Sequence, residues 1–183
     1  MKTTNFHATR SVIPLVAVLV LFSAPAAWAQ EKQKLSFSAA AGISKYVQQH
    51  TIAAGDVPGH EVRIFELVRT FPKDGPLIGG VRVKESRAVG CSDYTDLNGP
   101  ATTYTTYVMD NGDKIFTRSN IVAHAVVGAD GQKKGATNLV SGPITGGTGK
   151  FMSVRGTFRN QSSFDPKTGV NQSRFDVEYW MEK

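Results

Sequence analysis

Glu66 is the residue whose type and setting best suit acid–base chemistry. It ends the strand-like run V-R-I-F-E and, because side chains alternate along a strand, shares one face with Ile64 and Val68. If that face lines an interior, burial favours the neutral carboxyl group, which can then donate or accept a proton near neutral pH. The opposite face carries Arg63 and Arg69 and is more easily placed outside. The alternative is a structural ion pair between Glu66 and a cation at the rim of the fold.

Glu85 and Arg87 add two charges to the next strand-like run, where they share a face with Val81, Val83 and Val89. The two side chains form either a polar patch inside a lumen or a salt bridge at the rim or on the outer face. Under the first alternative, both are candidate ligand-binding residues.

Three further candidates lie on the following two runs. Tyr104 and Tyr107 fall on opposite faces, so at most one of them lines an interior; we take Tyr104 as the candidate, although packing is an equally ordinary role for tyrosine. Arg118 and His124 share a face that suits a polar pocket and, equally, an outward surface in an oligomer contact. A structural role is the alternative for His124. The predicted ligand-binding residues are therefore Tyr104, Arg118, His124, Glu85 and Arg87.

The glycine-rich segment I-T-G-G-T-G-K-F is similar in composition to a nucleotide-binding loop and lies between two strand-like runs. The Walker pattern G-x-x-x-x-G-K-[ST] fails, because Ile144 stands at its first glycine and Phe151 at its hydroxyl. Gly146, Gly147 and Gly149 are instead predicted to form a structural turn, since glycine reaches positive φ without steric cost.

No cofactor and no metal site is predicted. The histidines are widely spaced, and neither a metal-ligand spacing nor a G-x-S-x-G elbow is present. The single cysteine, Cys91, cannot form an internal disulfide. A small buried or half-buried role is favoured for it over a nucleophile or an intermolecular bridge, because no thiolate-activating group is recognisable beside it.

Strand-like runs dominate from residue 60 onward, joined by short connections of which D-N-G-D at 110–113 is the strongest hairpin signal. Short connections favour antiparallel neighbours, and closing such a sheet would remove its unpaired edges, so the pattern predicts a barrel or a sandwich. In the last run, Phe175, Val177 and Tyr179 share one face. Upstream, the Ala-rich stretch 38–50 predicts a short helix or an irregular arm. The predicted strands are 60–71, 77–89, 101–110, 114–127, 135–145, 154–160 and 171–181.

The run G-G-T-G-K-F followed by R-G, from Gly146 to Gly156, resembles a late-strand signature of dirigent proteins and allene oxide cyclases. The run that ends at Glu66 resembles the first strand of the cyclases, and Glu66 aligns with a glutamate of their active site. The resemblance implies an all-β fold, an eight-stranded antiparallel up-and-down (calycin-like) barrel over residues 60–183. An arm with a short helix, residues 30–59, would precede it.

The same resemblance implies an exported, bacterial-type protein with a cofactor-free pocket for an apolar or phenolic ligand. Such a pocket steers the stereochemistry of a cyclisation or coupling by holding a reactive substrate in one conformation, an isomerase-like activity if there is turnover. Relatives of this shape associate as homodimers or homotrimers. The alternative is a barrel that only binds a ligand or serves a structural role, with a lumen filled by its own side chains.

Residues 1–29 have the features of a signal peptide. Lys2 and Arg10 precede an apolar stretch too short for a comfortable membrane span, and A-W-A precedes Gln30. We expect export to the periplasm or the medium and no stable membrane anchor after cleavage, an uncleaved anchor being the alternative. Without Lys2 and Arg10 the formal charge falls from +6 to +4, with the basic residues scattered among acids. A nucleic-acid partner is therefore not expected.

Overall fold

The computed structural model describes residues 31–165 and 169–182, and the predicted signal peptide lies outside them. The described chain is all-β, as predicted, and paired strands run antiparallel. Its elements are β1 (Gln33–Ala39), β2 (Ser44–Ala53), β3 (His60–Thr70), β4 (Leu77–Ile78), β5 (Val81–Thr95), β6 (Gly99–Met109), β7 (Lys114–Val127), β8 (Lys133–Gly147), a 3₁₀ turn (Gly149–Phe151), β9 (Val154–Asp165) and β10 (Gly169–Met181).

The strands form a ten-stranded sheet in the order β1-β10-β9-β8-β7-β6-β5-β3-β2, with β4 paired to β5. β1 and β2 follow one another in the chain, yet they stand at opposite ends of this order. No hydrogen-bonded ladder joins them within the described residues. The sheet is therefore open, and the closed eight-stranded calycin-like barrel implied by the resemblance is not found.

Side chains nevertheless join the two ends of the sheet. Arg69 lies on β3, one strand in from the β2 edge, and its Nη2 donates a hydrogen bond to Ser173 Oγ, 3.2 Å away on β10, one strand in from the β1 edge. The rings of Phe37 and Phe71 meet edge to face across the same gap, with centroids 6.2 Å apart. The sheet thus curls until its ends touch, as the accumulated twist of a long antiparallel sheet allows.

The N-terminal segment corrects the sequence prediction. The stretch 38–50, predicted as a short helix or irregular arm, forms the end of β1, a turn and most of β2. Gly42 adopts a φ of 84° in that turn. The run L-S-F-S-A before the turn alternates half-buried and exposed residues and ends on buried Ala39, which is the period of a strand. Helix propensity of the alanines is weak compared with this period-two pairing against β10.

Other patterns are confirmed. Met109 N donates to Asp113 O at 2.9 Å across the predicted hairpin between β6 and β7. In β10, Phe175 and Tyr179 are each 4% exposed, and Val177 packs beside them against the core. The alternation of the last strand therefore identifies its buried face correctly.

The glycine-rich segment closes one end of the curled sheet, where most of the buried core lies. Gly146 and Gly149 adopt φ values of 149° and 53°, which favour glycine. A Cβ on Gly147 would lie 2.3 Å from Lys114 O and 2.7 Å from Phe151 O, so glycine is needed for the chain to pass between these backbone oxygens. Phe151 itself is fully buried. The buried hydrophobic residues of this core are Ala39, Phe71, Ile78, Val83, Met109, Ile115, Ile144, Phe151, Val154, Phe175 and Tyr179.

Replacing Phe151 by Ala tests whether this ring holds the closed end together. We expect the free energy of unfolding to fall by about 3–5 kcal/mol, because a buried aromatic ring leaves a cavity when it is removed. The matched control is Met152→Ala at the neighbouring position, which is 71% exposed and should change stability by less than about 0.5 kcal/mol. Urea denaturation followed by tryptophan fluorescence measures both. Equal losses for the two variants would contradict this role.

Candidate functional site

The opposite end of the curled sheet holds a cavity of about 450 Å³. Small-molecule sites typically have roughly 300–1,000 Å³. Alternate residues of β3, β5, β6 and β7 form much of its wall. Exposed Gln49, Thr51 and Glu61 line it at one end, which is its mouth. At the other end Arg69 and Phe175 line it where it adjoins the packed core, and they form its floor.

The face of β3 that forms the wall is the one that carries the arginines. Arg63, Phe65 and Arg69 line the cavity, whereas Ile64 on the other face is 59% exposed. The sequence-based placement of the face bearing Ile64 and Glu66 in the interior is therefore wrong. The inside of this sheet is a partly polar cavity, and β-branched residues also suit the outer face of a pleated sheet.

Gly90 is the signal in the sequence that could have oriented β3. It lies on β5 directly opposite Phe65, and a Cβ there would come within 2.7 Å of Phe65 Cζ and 2.6 Å of Thr103 Cγ2. A glycine inside a strand marks a close approach of neighbouring groups. The face that contains Gly90 and Phe65 is thus the crowded, inward one.

Arg69 is charged yet only 9% exposed. Its Nε donates to Ser44 Oγ at 2.8 Å, its Nη2 donates to Ser173 Oγ, and its Cζ lies 5.2 Å from the centroid of the Phe175 ring. Within the described residues no carboxylate forms a salt bridge with it. Burial lowers the pKa of the Arg69 guanidinium, and Tyr107 acts in the opposite direction. Arginine nevertheless remains protonated at neutral pH.

Tyr107 reaches the same floor from β6. It is paired with Ser86, which is paired in turn with Arg69 on β3. Burial raises the pKa of Tyr107 and the Arg69 charge lowers it in part, so the two groups interact electrostatically. The protonated hydroxyl can donate a hydrogen bond to a ligand. Of the two tyrosines considered from the sequence, Tyr107 lines the cavity and Tyr104 does not.

The upper wall combines a second arginine with aromatic rings. The Cζ of Arg63 lies 5.1 Å from the ring centroids of both Tyr46 and Phe65. Burial raises the pKa of Tyr94 to about 12, although the Arg63 charge acts against this rise. Arg63 is thus held mainly by π-faces, which attract a guanidinium.

Glu66, the predicted catalytic residue, lies outside the cavity lining. Its Oε1 is 3.2 Å from Arg87 Nη1, and Arg87 Nε donates to Glu85 Oε1 at 2.7 Å. The three side chains form an ion-pair ladder on the outer face of β3 and β5, so Glu85 and Arg87 do not line the lumen either. A register shift between Val83 and Glu85 explains this, because it interrupts the strict alternation assumed from the sequence.

The remaining predicted ligand-binding residues also point outward. Tyr104 is 60% exposed, and Arg118 Cζ lies 5.7 Å from its ring centroid. His124 is exposed on β7, whereas Ser119 and Ile121 are the residues of that strand that line the cavity. On the outer surface, the structure thus brings Glu66 together with Glu85 and Arg87, and separately brings Tyr104 together with Arg118.

Cys91 is exposed, in contrast to the buried or half-buried role favoured from the sequence. Among residues 31–165 and 169–182, no group of three or more histidine, cysteine or acidic side chains is arranged to hold a metal ion. In the same ranges, no helix has the length and apolar character needed to cross a membrane.

The solved structures to which the chain is similar include two pterocarpan synthase dirigent proteins. PsPTS1 is 17% identical with a TM-score of 0.47, and the match covers 84% of this chain and 97% of that one. GePTS1 is 16% identical with a TM-score of 0.47, and the match covers 91% and 100%. No protein-family model and no curated protein matches the chain. Similarity at this level identifies neither a family nor a function, and the cavity itself must carry any functional conclusion.

His60 ties the loop at the cavity mouth to β5. Its Nδ1 lies 2.6 Å from Asp56 Oδ1, and its Nε2 lies 2.6 Å from Asp93 Oδ1. The hydrogen bond to Asp93, followed by that to Asp56, raises the pKa of His60. The neighbouring residues Gly59 and Glu61 both line the cavity. The protonated imidazole therefore holds two segments together at the rim.

We expect stability to decrease as the pH rises through the raised pKa of His60. The folded chain holds this proton more tightly than the unfolded chain, so the contribution is complete below the ordinary value of 6.5 and is lost above the folded-state value. Thermal melts from pH 6 to pH 9 should show a larger decrease in Tm for the wild type than for His60→Gln. The control His50→Gln, at an exposed position on β2, should behave as the wild type. Identical pH profiles for wild type and His60→Gln would contradict the role.

Proposed function

We propose that the protein binds a small molecule with an apolar body and a polar end in the 450 Å³ cavity. The observation that carries this proposal is the composition of the cavity along its depth. Apolar side chains from five strands form its middle wall, while its floor presents the buried Arg69 and Tyr107. Those wall residues are Phe65, Leu67, Ala88, Ile121, Val140 and Phe158. An apolar wall with a few converging polar groups is the usual design of a small-molecule site.

The polar groups of the wall are largely satisfied within the protein, which favours a site that is preformed. Thr103 Oγ1 and Ser119 Oγ share a hydrogen bond of 2.5 Å, and Asn138 Nδ2 donates to Ser162 Oγ at 3.4 Å. A ligand therefore meets a wall that needs few new hydrogen bonds and discriminates mainly by shape. Arg69 and Tyr107 then fix its orientation.

A finer form of this proposal is that the site steers the stereochemistry of a cyclisation or coupling of an apolar or phenolic substrate, without a cofactor. Restriction of conformers is the physical basis, because a fixed near-attack geometry can remove several kcal/mol of a barrier. The Tyr107 hydroxyl supports this form, since it is a proton-bearing group beside a cation where an oxygen of the substrate would lie. Passive binding without turnover is the alternative. Export remains part of the proposal on the pattern of residues 1–29, and assembly as a homodimer or homotrimer remains part of it on the resemblance alone.

Filling the cavity with a bulky side chain tests the binding proposal. Ala88 lines the wall, paired with Leu67 and Thr105 in the neighbouring strands. We expect Ala88→Trp to weaken binding of the neutral apolar dye N-phenyl-1-naphthylamine by about tenfold or more, because the indole occupies the ligand volume. Dye fluorescence measures the affinity and the stoichiometry, which should be one dye per chain.

Val89→Trp is the matched control, since Val89 is the next residue, points to the outer face and is 52% exposed. It should leave dye binding within about twofold of the wild type. Equal effects of the two tryptophans, or dye binding that Ala88→Trp leaves unchanged, would overturn the proposal, because the dye would then bind the outer surface.

A further inference from the structure

The floor of the cavity contains a cation that the described protein does not neutralise. A guanidinium has five N–H donors, and Arg69 uses two of them on the hydroxyl groups of Ser44 and Ser173. The three other N–H donors have no acceptor among the described residues, and the side chain is only 9% exposed. Both partners are neutral, so the charge is solvated in part but is not compensated.

A buried charge of this kind is costly. The effective penalty for transferring an ion from water into a protein interior is several kcal/mol, and a protein usually offsets it with an opposite charge. The Phe175 ring below the Arg69 guanidinium contributes an attraction between a cation and a π-face, but no negative charge. An anion that enters the cavity would supply what the floor lacks.

We propose that Arg69 and Tyr107 form a carboxylate subsite at the floor of the cavity, so that the ligand is a small organic monoacid bound with its acid group innermost. This inference rests on the proposed binding function and narrows its ligand class. The planar guanidinium presents parallel N–H donors that match the two oxygens of a carboxylate. The Tyr107 hydroxyl supplies a further donor from the adjacent wall.

A single charge at the floor favours a monoanion over a phosphate dianion. Arg63, the other arginine of the cavity wall, is six residues away along β3. At about 3.3 Å per residue the two Cα atoms are roughly 20 Å apart, so one small anionic group cannot contact both side chains from the floor. The apolar wall between them receives the body of the acid.

The test compares two ligands that differ in the acid group alone. 4-Phenylbutanoate and 4-phenylbutan-1-ol have the same phenyl body, and each is titrated against the wild-type protein carrying N-phenyl-1-naphthylamine. We expect the acid to displace the dye about 10- to 100-fold more effectively than the alcohol, as the strength of charge-assisted hydrogen bonds indicates. This comparison needs no variant and cannot be disturbed by misfolding.

Variants then locate the preference. Arg69→Gln should bring the affinity for the acid down to that for the alcohol, while the affinity for the alcohol changes by less than about threefold. Arg118→Gln removes one positive charge from the outer face and should leave the ratio of acid to alcohol unchanged. Tyr107→Phe should reduce the ratio by about three- to tenfold, the net effect of one ordinary hydrogen bond.

Equal affinities of acid and alcohol for the wild type would overturn the carboxylate subsite, yet the binding function would stand if the dye binds in the cavity. A preference for the acid that survives in Arg69→Gln would also overturn the subsite, because the anion would then bind elsewhere. Failure of the dye to bind, or of Ala88→Trp to block it, would instead overturn the proposed binding function and the subsite with it.

Discussion

The contact between the two ends of the sheet is the constraint on which the architecture most depends. The ladders of the sheet run from β1 to β2 without closing, so side chains must hold the two ends together within the described residues. Arg69 does this from β3 while it forms the floor of the cavity. Arg69 thus supplies one of the contacts between the ends of the sheet, beside the ring pair Phe37–Phe71, and it gives the cavity its polar end. The polar end of the cavity and the contact between the sheet ends therefore share one side chain.

The orientation of β3 shows why the sequence misplaced the candidate site. An alternating strand yields two faces, and the more apolar one is normally assigned to the interior. Here the interior holds a partly polar cavity, and the face with Arg63 and Arg69 lines it. The error at Glu66 and at Tyr104 is the same reversal of face, and it moved the predicted chemistry to the outer surface. Gly90 alone carried the opposite signal, because a missing Cβ in a strand reports crowding independently of polarity.

Much of the fold could be predicted from local patterns in the sequence. The parts that could not be predicted each have a physical reason. The hairpin at 110–113 and the buried face of β10 were predictable, since a tight turn and a period of two each leave a direct trace in the sequence. β1 and β2 were missed because an alanine-rich turn masked a short alternating run. For Glu85 and Arg87 the sequence left the lumen and the outer face open, because the register shift after Val83, which places them outside, leaves no compositional mark. Which strands meet at the ends of the sheet is a long-range property that no local pattern contains.

The buried ring of Phe151 limits how a small molecule can enter and leave the cavity. That ring and its neighbours fill one end of the curled sheet. The cavity is therefore closed at its floor and opens only at the rim near Thr51 and Glu61. A small molecule that enters the cavity must leave through the same opening, because the packed core blocks passage to the other end of the protein. The loop that His60 anchors lies beside the mouth of the cavity. Entry to the cavity and exit from it therefore both pass the rim segment that His60 holds.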